Sequence, residues 1–507
     1  MSLLDKRSNI VGISAGFHDA AVSVVDTSGN ILFAGHSERY SKQKNDQHLN
    51  DQLIEEALSY GPVSQLAFYE RPWMKKLQQL ISGQVNATNI FDNITLAQYL
   101  RKHLSSTTSI KSLLSAGRTR YVSHHLSHAA GGFQTSTFES ACVVVIDAIG
   151  ELDTVSIYRA WYDKKGRAKY KRLWRQKYPH SVGLFYSALT QRVGLHPLHE
   201  EYITMGMVAY GNIAAHTGQM YDTFIDDTDK VTFKENLHIG MDPNFADGAR
   251  NEDLAASGQY LVEEIINSIM QRAKHLTGED NLVYSGGVAL NCLANRNLNN
   301  YFKNIWIMPN PGDAGSSLGA AALAYGKKLN WEGAYIGHNI PGEYPVEEII
   351  QELKTTGIVG VASGRAEFGP RALGNRSLLA DPRGSDIKDR VNAIKKRQQF
   401  RPFAPAILEE HARDYFRGST GPYMQFTSEC RFPDLYPAIV HADGTSRVQT
   451  VSHKDNTGFR KLLERWYQET GCPMLLNTSL NIRGEPIVND RTDADRFEQK
   501  YKVKVCS

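Results

Sequence analysis

Cysteine is scarce in this chain of 507 residues: there are five, Cys142, Cys292, Cys430, Cys472 and Cys506, and no two are spaced as a CxxC pair. A structural zinc site wants paired thiolates at short separation, so none is expected. Cys142 and Cys472 stand in apolar segments, which suits a reduced chain. Long apolar runs are also missing, so no bilayer crossing is expected. The opening MSLLDKRSNIVGIS has neither the apolar run nor the small-residue cleavage site of a signal peptide. These absences predict a soluble, cytoplasmic protein with no membrane partner. An excess of one charge is lacking as well. Lys and Arg number 57 against 54 Asp and Glu, a net charge of +3, which neither demands nor excludes a nucleic-acid partner. No coiled coil, low-complexity tract or short-period repeat is present.

What is there is an ordinary globular composition, 41% hydrophobic and 22% charged, in a chain too long for one core. IVGISAG (10–16), AAVSVVD (20–26) and ILFAGHSERY (31–40) read as three strands, with a turn at Ser28-Gly29-Asn30. A helix follows in DQLIEEALSY, ending before Gly61-Pro62. The order recurs in ACVVVIDAIGE (141–151), DTVSIYRAWYD and AKYKRLWRQKY, followed by a helical SVGLFYSALTQRVG. The duplication predicts an actin-like, ligand-clamping α/β domain. Residues 81–120 read as a helical insertion. Residues 253–277 predict a helix with Leu261, Ile265, Ile269, Ala273 and Leu276 on one face and Gly278 as its stop. A boundary is placed near residue 340, giving domains 1–340 and 341–507; the second is denser in arginine at turns. FRPFAPAIL, around Arg401, fits neither a simple helix nor a solvated strand.

Three constellations carry chemistry. In SHHLSHAA, His124 and His128 are four apart and share a helix face. An isolated HxxxH is more often a helix start without metal. Asp147, ending a buried strand, and Asp313, in PGDAGSS, shift that balance, because a buried carboxylate needs a partner. Two His and two Asp make a mixed N/O site for iron, manganese or zinc. Gly286-Gly287 and Gly312-Asp313-Ala314-Gly315 each join a strand to a helix; in tandem they favour phosphate binding over plain turns. Finally, Arg365, Arg371, Arg376, Arg383, Lys395, Arg397, Arg401, Arg447 and Arg483 lie in polar, turn-rich segments, where guanidinium forks suit phosphates and carboxylates.

Together GFHDAAVSVVD, SHHLSHAA, VIDAIGE, SVGLFYSALT, SGGVALNC, GDAGSSLGAAA, EFGPRALGNRSLLADPR, FRPFAPAIL, HADGTSRVQTV and LLNTSLNIRGEPIV resemble the ATP-dependent O-carbamoyltransferases, which include antibiotic and nodulation-factor carbamoyltransferases. The resemblance runs from residue 16 to 488. It implies a metal-containing, duplicated actin-like domain followed by an α+β domain resembling threonylcarbamoyl-AMP synthase. The second domain would form carbamoyl adenylate from ATP (with Mg) and carbamoyl phosphate, using Arg371, Lys395, Arg401, Arg447, Asn477 and Arg483. The first would bind a divalent metal, expected to be iron, through His124, His128, Asp147 and Asp313. There Gly150, Glu151, Gly286, Gly287 and Asn291 would hold the adenylate, and His18 would be the general base for a hydroxyl acceptor. Two departures stand out. Asp147-Ala148-Ile149-Gly150-Glu151 replaces Asp-Gly-x-Gly-Glu, and Ile203 replaces the lysine of EYK-x-MG. The chain is also shorter than many relatives.

The acceptor is open. Residues 164–177 hold eight basic residues and no acid, with Tyr162, Tyr170, Trp174 and Tyr178 interleaved or flanking. That pattern suits a nucleic-acid backbone with stacked bases, or equally a solvated hairpin whose lysines protect an edge strand. VIDAIGE and EYITMGMVAYG resemble a branch found in viruses and marine bacteria, which would place the protein in host cytoplasm. A hydroxymethylated pyrimidine in a nucleotide or DNA and a sugar or antibiotic hydroxyl are the candidate acceptors; a homodimer is left open. The alternatives are a threonylcarbamoyl-type tRNA-modifying enzyme and an actin-like ATPase without transfer. A hydrogenase-maturation carbamoyltransferase is disfavoured by the absence of cysteine-rich zinc motifs.

Overall fold

The β-branched run that begins at Asn9 folds into an antiparallel meander of β1 (Asn9–Ser14), β2 (Ala21–Val25) and β3 (Ile31–His36). Its last turn is closed by Asp26, whose carboxylate accepts from the Ser28 and Asn30 amides at 2.8 Å each, an Asx turn. Helix α1 (Asp51–Ser59) follows. β4 (Val63–Phe68) and β5 (Thr119–Tyr121) then extend the sheet in parallel on the other side of β1, giving the order β3-β2-β1-β4-β5.

This is a computed structural model that describes residues 8–74, 76, 95–117, 119–454 and 457–507. Of the insertion expected over 81–120, residues 81–94 and 118 lie outside the described residues. Residues 95–117 form two short helices, Leu96–His103 and Thr107–Leu114. Thr119–Tyr121 is a strand rather than helix.

The same topology recurs after helix α2 (His124–Thr135). β6 (Ser140–Gly150), β7 (Asp153–Tyr162) and β8 (Ala168–Lys177) form a second antiparallel meander, followed by helix α3 (Val182–Arg192). After helix α4 (Asn251–Thr277), β9 (Asn281–Ser285) and β10 (Asn304–Trp306) add in parallel, giving β8-β7-β6-β9-β10. The duplicated unit is the actin-like arrangement. α4 buries Leu261, Ile265, Ile269 and Ala273 and ends at Gly278, φ +66°. Leu276, expected on the same face, lies in the last turn and is exposed.

Helix α5 (Ser316–Tyr325) lies against α2 and β1 at backbone distance. A Cβ on Gly319 would stand 1.8 Å from the Ser127 carbonyl oxygen, and one on Gly12 would stand 2.0 Å from that of Ser317. Only glycine lets these three backbones touch, and the touching sets the distance between α2 and the turn that opens α5.

The chain divides into two compact units: 1–41, 45–290 and 297–331 form one, and 42–44, 291–296 and 332–507 the other. In the second, helix α6 (Val346–Thr356), β11 (Ile358–Ala362), β12 (Arg376–Ala380), helix α7 (Ile387–Lys395), β13 (Ala404–Leu408), β14 (Gln449–Val451), helix α8 (Thr457–Thr470), β15 (Met474–Ser479), helix α9 (Arg491–Tyr501) and β16 (Val505–Cys506) follow in turn. The sheet order is β14-β13-β15-β12-β11-β16, mixed in direction. APAIL, which its sequence left unassigned, is β13: an interior strand buried along its whole length. It reads as a short apolar run without alternation because both its faces are covered. No helix of the described residues is long and apolar enough to cross a membrane.

Gly319→Ala is expected to destabilise the first unit by about 1–3 kcal/mol or more, the usual cost of overpacking, since the clash is with backbone that cannot turn aside. Urea unfolding followed by far-UV circular dichroism measures it; an unchanged midpoint would show that α2 and α5 do not touch here.

Candidate metal centre and anion sites

His124 and His128 fall on one face of α2 because they are four residues apart. Asp147 sits where the β6–β7 register breaks, between Ile146 and Gly150, and Asp313 opens the single turn Asp313–Gly315 before α5. One ligand atom from each of the four lies within 4.8 Å of the others. His124 Nε2 is 3.0 Å from Asp147 Oδ2 and 3.3 Å from Asp313 Oδ1. His128 Nε2 is 3.3 Å from each of those oxygens and 3.1 Å from His124 Nε2. Two imidazole nitrogens facing each other across two carboxylates are a poor hydrogen-bonding arrangement and a good N2O2 ligand set.

The surroundings hold this set in place. Asp147 Oδ1 accepts from the Ala148 amide at 2.9 Å and the Gly287 amide at 3.3 Å. The Gly286-Gly287 turn thus supports Asp147, and a Cβ on Gly286 would stand 2.2 Å from the Ile146 oxygen. Gly150 carries the His124 and His125 rings: a Cβ there would stand 2.6 and 2.4 Å from their Cδ2 atoms. Glu151, at φ +60°, accepts from the Arg71 amide at 2.8 Å and from its Nε at 3.0 Å. Asn291 caps the short helix Cys292–Asn295, accepting from the Ala294 amide at 3.1 Å.

Burial opposes charge on His124, but the carboxylates of Asp313 and Asp147 outweigh it and raise its pKa well above the ordinary value. His128 is likewise raised, burial opposing and Asp147 and Asp313 prevailing. Asp147 is held well below the usual carboxylate range: burial works against it, and its bonds to His124 and His128 dominate. His125 is the reverse case. Burial and the neighbouring His124 keep its pKa far down, so it is a neutral ring, with Nδ1 2.8 Å from Ser156 Oγ.

His18 has both ring nitrogens engaged. Nδ1 is 2.9 Å from Asp19 Oδ2, and Nε2 donates to the Leu198 carbonyl at 3.0 Å. Burial lowers its pKa, but the Asp19 carboxylate more than compensates and pushes it up to about 9. The sequence reading missed Glu70, whose carboxylate is 3.8 Å from His124 Nδ1, and Tyr69, whose ring lies 5.1 Å from that of His124. The available signal was a buried acid at the end of a strand, in FYERP.

In the second unit Lys395 is buried at the end of α7. Its Nζ donates to the Asn481 carbonyl at 2.8 Å, Asn481 Oδ1 at 2.9 Å and Ser479 Oγ at 3.2 Å. Burial, with Arg397 and Arg401 nearby, depresses its pKa well below the lysine value. The Arg483 amide donates to the Lys395 carbonyl at 3.0 Å, and the Arg483 side chain is exposed. Arg371, Arg401 and Arg447 are half-buried, and Asn477 is buried. Other cations of the sequence set are structural. Arg376 is fully buried and donates to the carbonyls of Asn489, Ser363, Asn375, His338 and Gly364. Arg383 pairs with Asp381 at 2.8 Å, and Arg365 donates to the Ile336 carbonyl at 2.6 Å.

The aromatic residues around β8 are already occupied. Tyr162 stacks on Phe133 at 4.9 Å, the Tyr170 hydroxyl donates to Gln134 at 2.9 Å, and Arg272 covers Trp174 at 4.6 Å. The Tyr178 hydroxyl accepts from Asn236 at 2.7 Å. These internal contacts accord with the hairpin reading of the segment.

A family model described as "Carbamoyltransferase N-terminus" matches residues 9–322, and one described as "Carbamoyltransferase C-terminus" matches residues 350–506. The chain is similar to the uncharacterized protein sll1178 of Synechocystis sp., 32% identical over 583 residues, covering 96% of this chain and 94% of that protein. It is similar to nodulation protein NolNO of Sinorhizobium fredii, 31% identical over 540 residues, covering 94% and 76%. Nodulation protein NolO of Bradyrhizobium diazoefficiens is 33% identical over 420 residues, covering 74% and 75%.

The protein as purified with iron(II), or reconstituted with it, is expected to carry about one ion per chain, the stoichiometry of a single closed ligand set. Asp313→Ala should lower that at least tenfold in elemental analysis. Equal metal content in the variant would exclude this centre as the binding site.

Proposed function

The chain belongs to the carbamoyltransferase family, and from that premise we propose that it activates the carbamoyl group as carbamoyl adenylate in its second unit and passes it to a hydroxyl in its first. The observation that carries the proposal is the setting of Lys395. Its ammonium is buried among cations, and its hydrogen bonds run to Ser479 and Asn481. Among the described residues none of them runs to a carboxylate. Its three hydrogens are taken by those oxygens, so Lys395 anchors the site beside Arg397 and Arg401, whose guanidinium forks suit a phosphate. Arg371, Arg401, Arg447, Asn477 and Arg483 complete the proposed site for ATP and carbamoyl phosphate.

In the first step water attacks the phosphorus of carbamoyl phosphate and its P–O bond to the carbamoyl group breaks, giving phosphate and a carbamate that keeps both of its oxygens. A carbamate oxygen then attacks the α-phosphorus of MgATP, forming carbamoyl adenylate and releasing pyrophosphate. In the second step the acceptor hydroxyl attacks the carbamoyl carbon, its proton leaves to a base, and AMP departs. Adenylation supplies the leaving group that carbamate lacks.

His124, His128, Asp147 and Asp313 would hold a divalent metal, for which iron(II) is the proposal; when bound it supplies Lewis-acid polarisation of a carbonyl. Gly150, Glu151, Gly286 and Gly287 are the proposed adenylate contacts of the first unit. His18 is the proposed base. At pH 7, with a pKa of about 9, it carries its proton, so it works only after losing that proton and releasing the Leu198 carbonyl. The acceptor proposed is a small-molecule hydroxyl, on a sugar or a hydroxymethylated nucleotide. The internal contacts of the aromatics around β8 favour the small acceptor over an extended DNA strand. The five free, buried cysteines accord with a cytoplasmic setting.

Carbamoyl-phosphate-dependent ATP–pyrophosphate exchange tests the first step. Exchange is expected in the wild type and a loss of at least tenfold in Arg401→Ala. Absence of exchange in folded, metal-loaded protein would overturn adenylate formation.

A further inference from the structure

Tyr69 follows directly on β4, and its amide donates to the Ile13 carbonyl of β1 at 3.0 Å. The sheet fixes the backbone there, and neighbouring rings fix the side chain. The Tyr69 ring centroid lies 5.4 Å from that of Phe68, at 77°, and 5.1 Å from that of His124, at 53°. Such edge-on and tilted contacts are the favoured ones between aromatic rings. A tyrosine held by both backbone and ring presents its hydroxyl in one place.

That hydroxyl is a donor with nothing to donate to. Tyr69 is 0% exposed, and its Oη has no hydrogen-bond partner among the described residues. Acids are close by but are turned elsewhere. Asp147 Oδ2 and Asp313 Oδ1 face the Nε2 atoms of His124 and His128 at 3.0 to 3.3 Å. Asp147 Oδ1 accepts from the Ala148 and Gly287 amides. Burial, and then the carboxylates of Glu70, Asp313 and Asp147, push the phenol's pKa well above its ordinary value, so it keeps its proton. A buried donor left unpaired is costly, and one that a fold retains calls for an acceptor from outside the chain.

The surroundings say which acceptor. The field of Asp313 reaches both this hydroxyl and the His18 ring, so the two stand around one carboxylate. Tyr99, the other phenol that acts on Tyr69, is already spent: its hydroxyl donates to the Gln47 carbonyl at 3.3 Å and accepts from the Leu49 amide at 3.2 Å. A phosphate oxygen suits Tyr69 poorly, because three carboxylates act on the donor and like charges repel. A neutral carbonyl oxygen suits it well, and such an oxygen gains negative charge only while its carbon is attacked.

We infer that Tyr69 is a catalytic residue of the transfer step, its hydroxyl donating to the carbamoyl oxygen of the bound adenylate. The inference rests on the reading above that the first unit consumes carbamoyl adenylate. In that step the acceptor oxygen bonds to the carbamoyl carbon, and its proton passes to His18. The C=O electrons move onto the carbamoyl oxygen, are held there by the Tyr69 O–H, and return as the bond to AMP breaks. Tyr69 itself gives up no proton.

The test replaces Tyr69 by phenylalanine, which removes one oxygen and keeps the ring. Cobalt(II)-loaded wild type and Tyr69→Phe are titrated with a stable carbamoyl adenylate analogue in which a sulfamoyl linkage replaces the anhydride. The visible cobalt spectrum reports binding at the first unit's centre, and AMP is measured by its displacement of the analogue. Both proteins are expected to take up cobalt equally. Tyr69→Phe should unfold at the wild-type temperature or above it, because it loses an unpaired buried group. The analogue should bind Tyr69→Phe about tenfold more weakly, for the loss of one hydrogen bond, while AMP, which has no carbonyl, binds both alike. Equal affinity of the two proteins for the analogue, with the spectrum responding, would overturn the inference and leave the transfer reading standing. A weakening shared by AMP would show a contact to phosphate, which is equally fatal to it. Loss of cobalt from Tyr69→Phe would make Tyr69 a metal ligand and contradict the role assigned here. If the wild-type spectrum ignores the analogue, the carbamoyl group is not brought to this centre, and the transfer reading fails together with the inference.

Discussion

Two carboxylates buried opposite two imidazoles are the constraint on which the first unit is built. Asp147 and Asp313 belong to different strand-ending turns, 166 positions apart in the chain, and both converge on the nitrogens of α2. Left alone, such a cluster repels as much as it attracts: the carboxylates oppose each other, and the imidazoles can satisfy them only by taking up protons. The fold holds it together by backbone contact. Gly319 against Ser127 and Gly12 against Ser317 fix α2, α5 and β1 at a spacing no larger residue permits. The amides of Ala148 and Gly287 hold one carboxylate in orientation. The order of dependence is glycine contacts, then helix spacing, then ligand geometry.

The second unit gathers positive charge, with Arg397 and Arg401 near the buried Lys395. Lys395 is held by amide and hydroxyl oxygens alone among the described residues. Polar side chains here are linked in a chain: Glu367 accepts from the Leu373, Asn375 and Arg376 amides, Gln449 donates to the Leu373 carbonyl, and Asn477 donates to Gln449. The proposed separation of activation from transfer suits the chemistry, because a carbamoyl anhydride is easily lost to water.

The duplicated meander was legible because half-buried strands alternate and close on Gly, Asn and Asp turns. The four metal-ligand candidates were legible from the four-residue spacing of His124 and His128 and from acids at strand ends. β13 was not, because an interior strand shows an unbroken apolar run, and the flanking FRPF resembles a loop. The aromatics around β8 are half-buried, and Tyr162 and Tyr170 pack against the core from its edge, a contact that the run of basic residues does not announce. Arg376 reads in sequence like Arg371, yet it is wholly spent on backbone carbonyls. Composition cannot separate an arginine that binds a ligand from one that binds its own chain; only the carbonyls around it do. Glu70, Gln449 and the Asn477 orientation depend on contacts between residues distant in sequence, which no local pattern announces.

The most direct measurement is the fate of oxygen. Carbamoyl phosphate carrying ¹⁸O in its carbonyl and bridging positions is supplied with unlabelled ATP and a hydroxyl acceptor, and the AMP is weighed by mass spectrometry. If carbamate attacks the α-phosphorus and the acceptor then attacks the carbamoyl carbon, one labelled oxygen leaves with AMP. Carbamoylated product accompanied by unlabelled AMP, or by ADP in its place, would contradict the carbamoyl adenylate and the division of labour built on it.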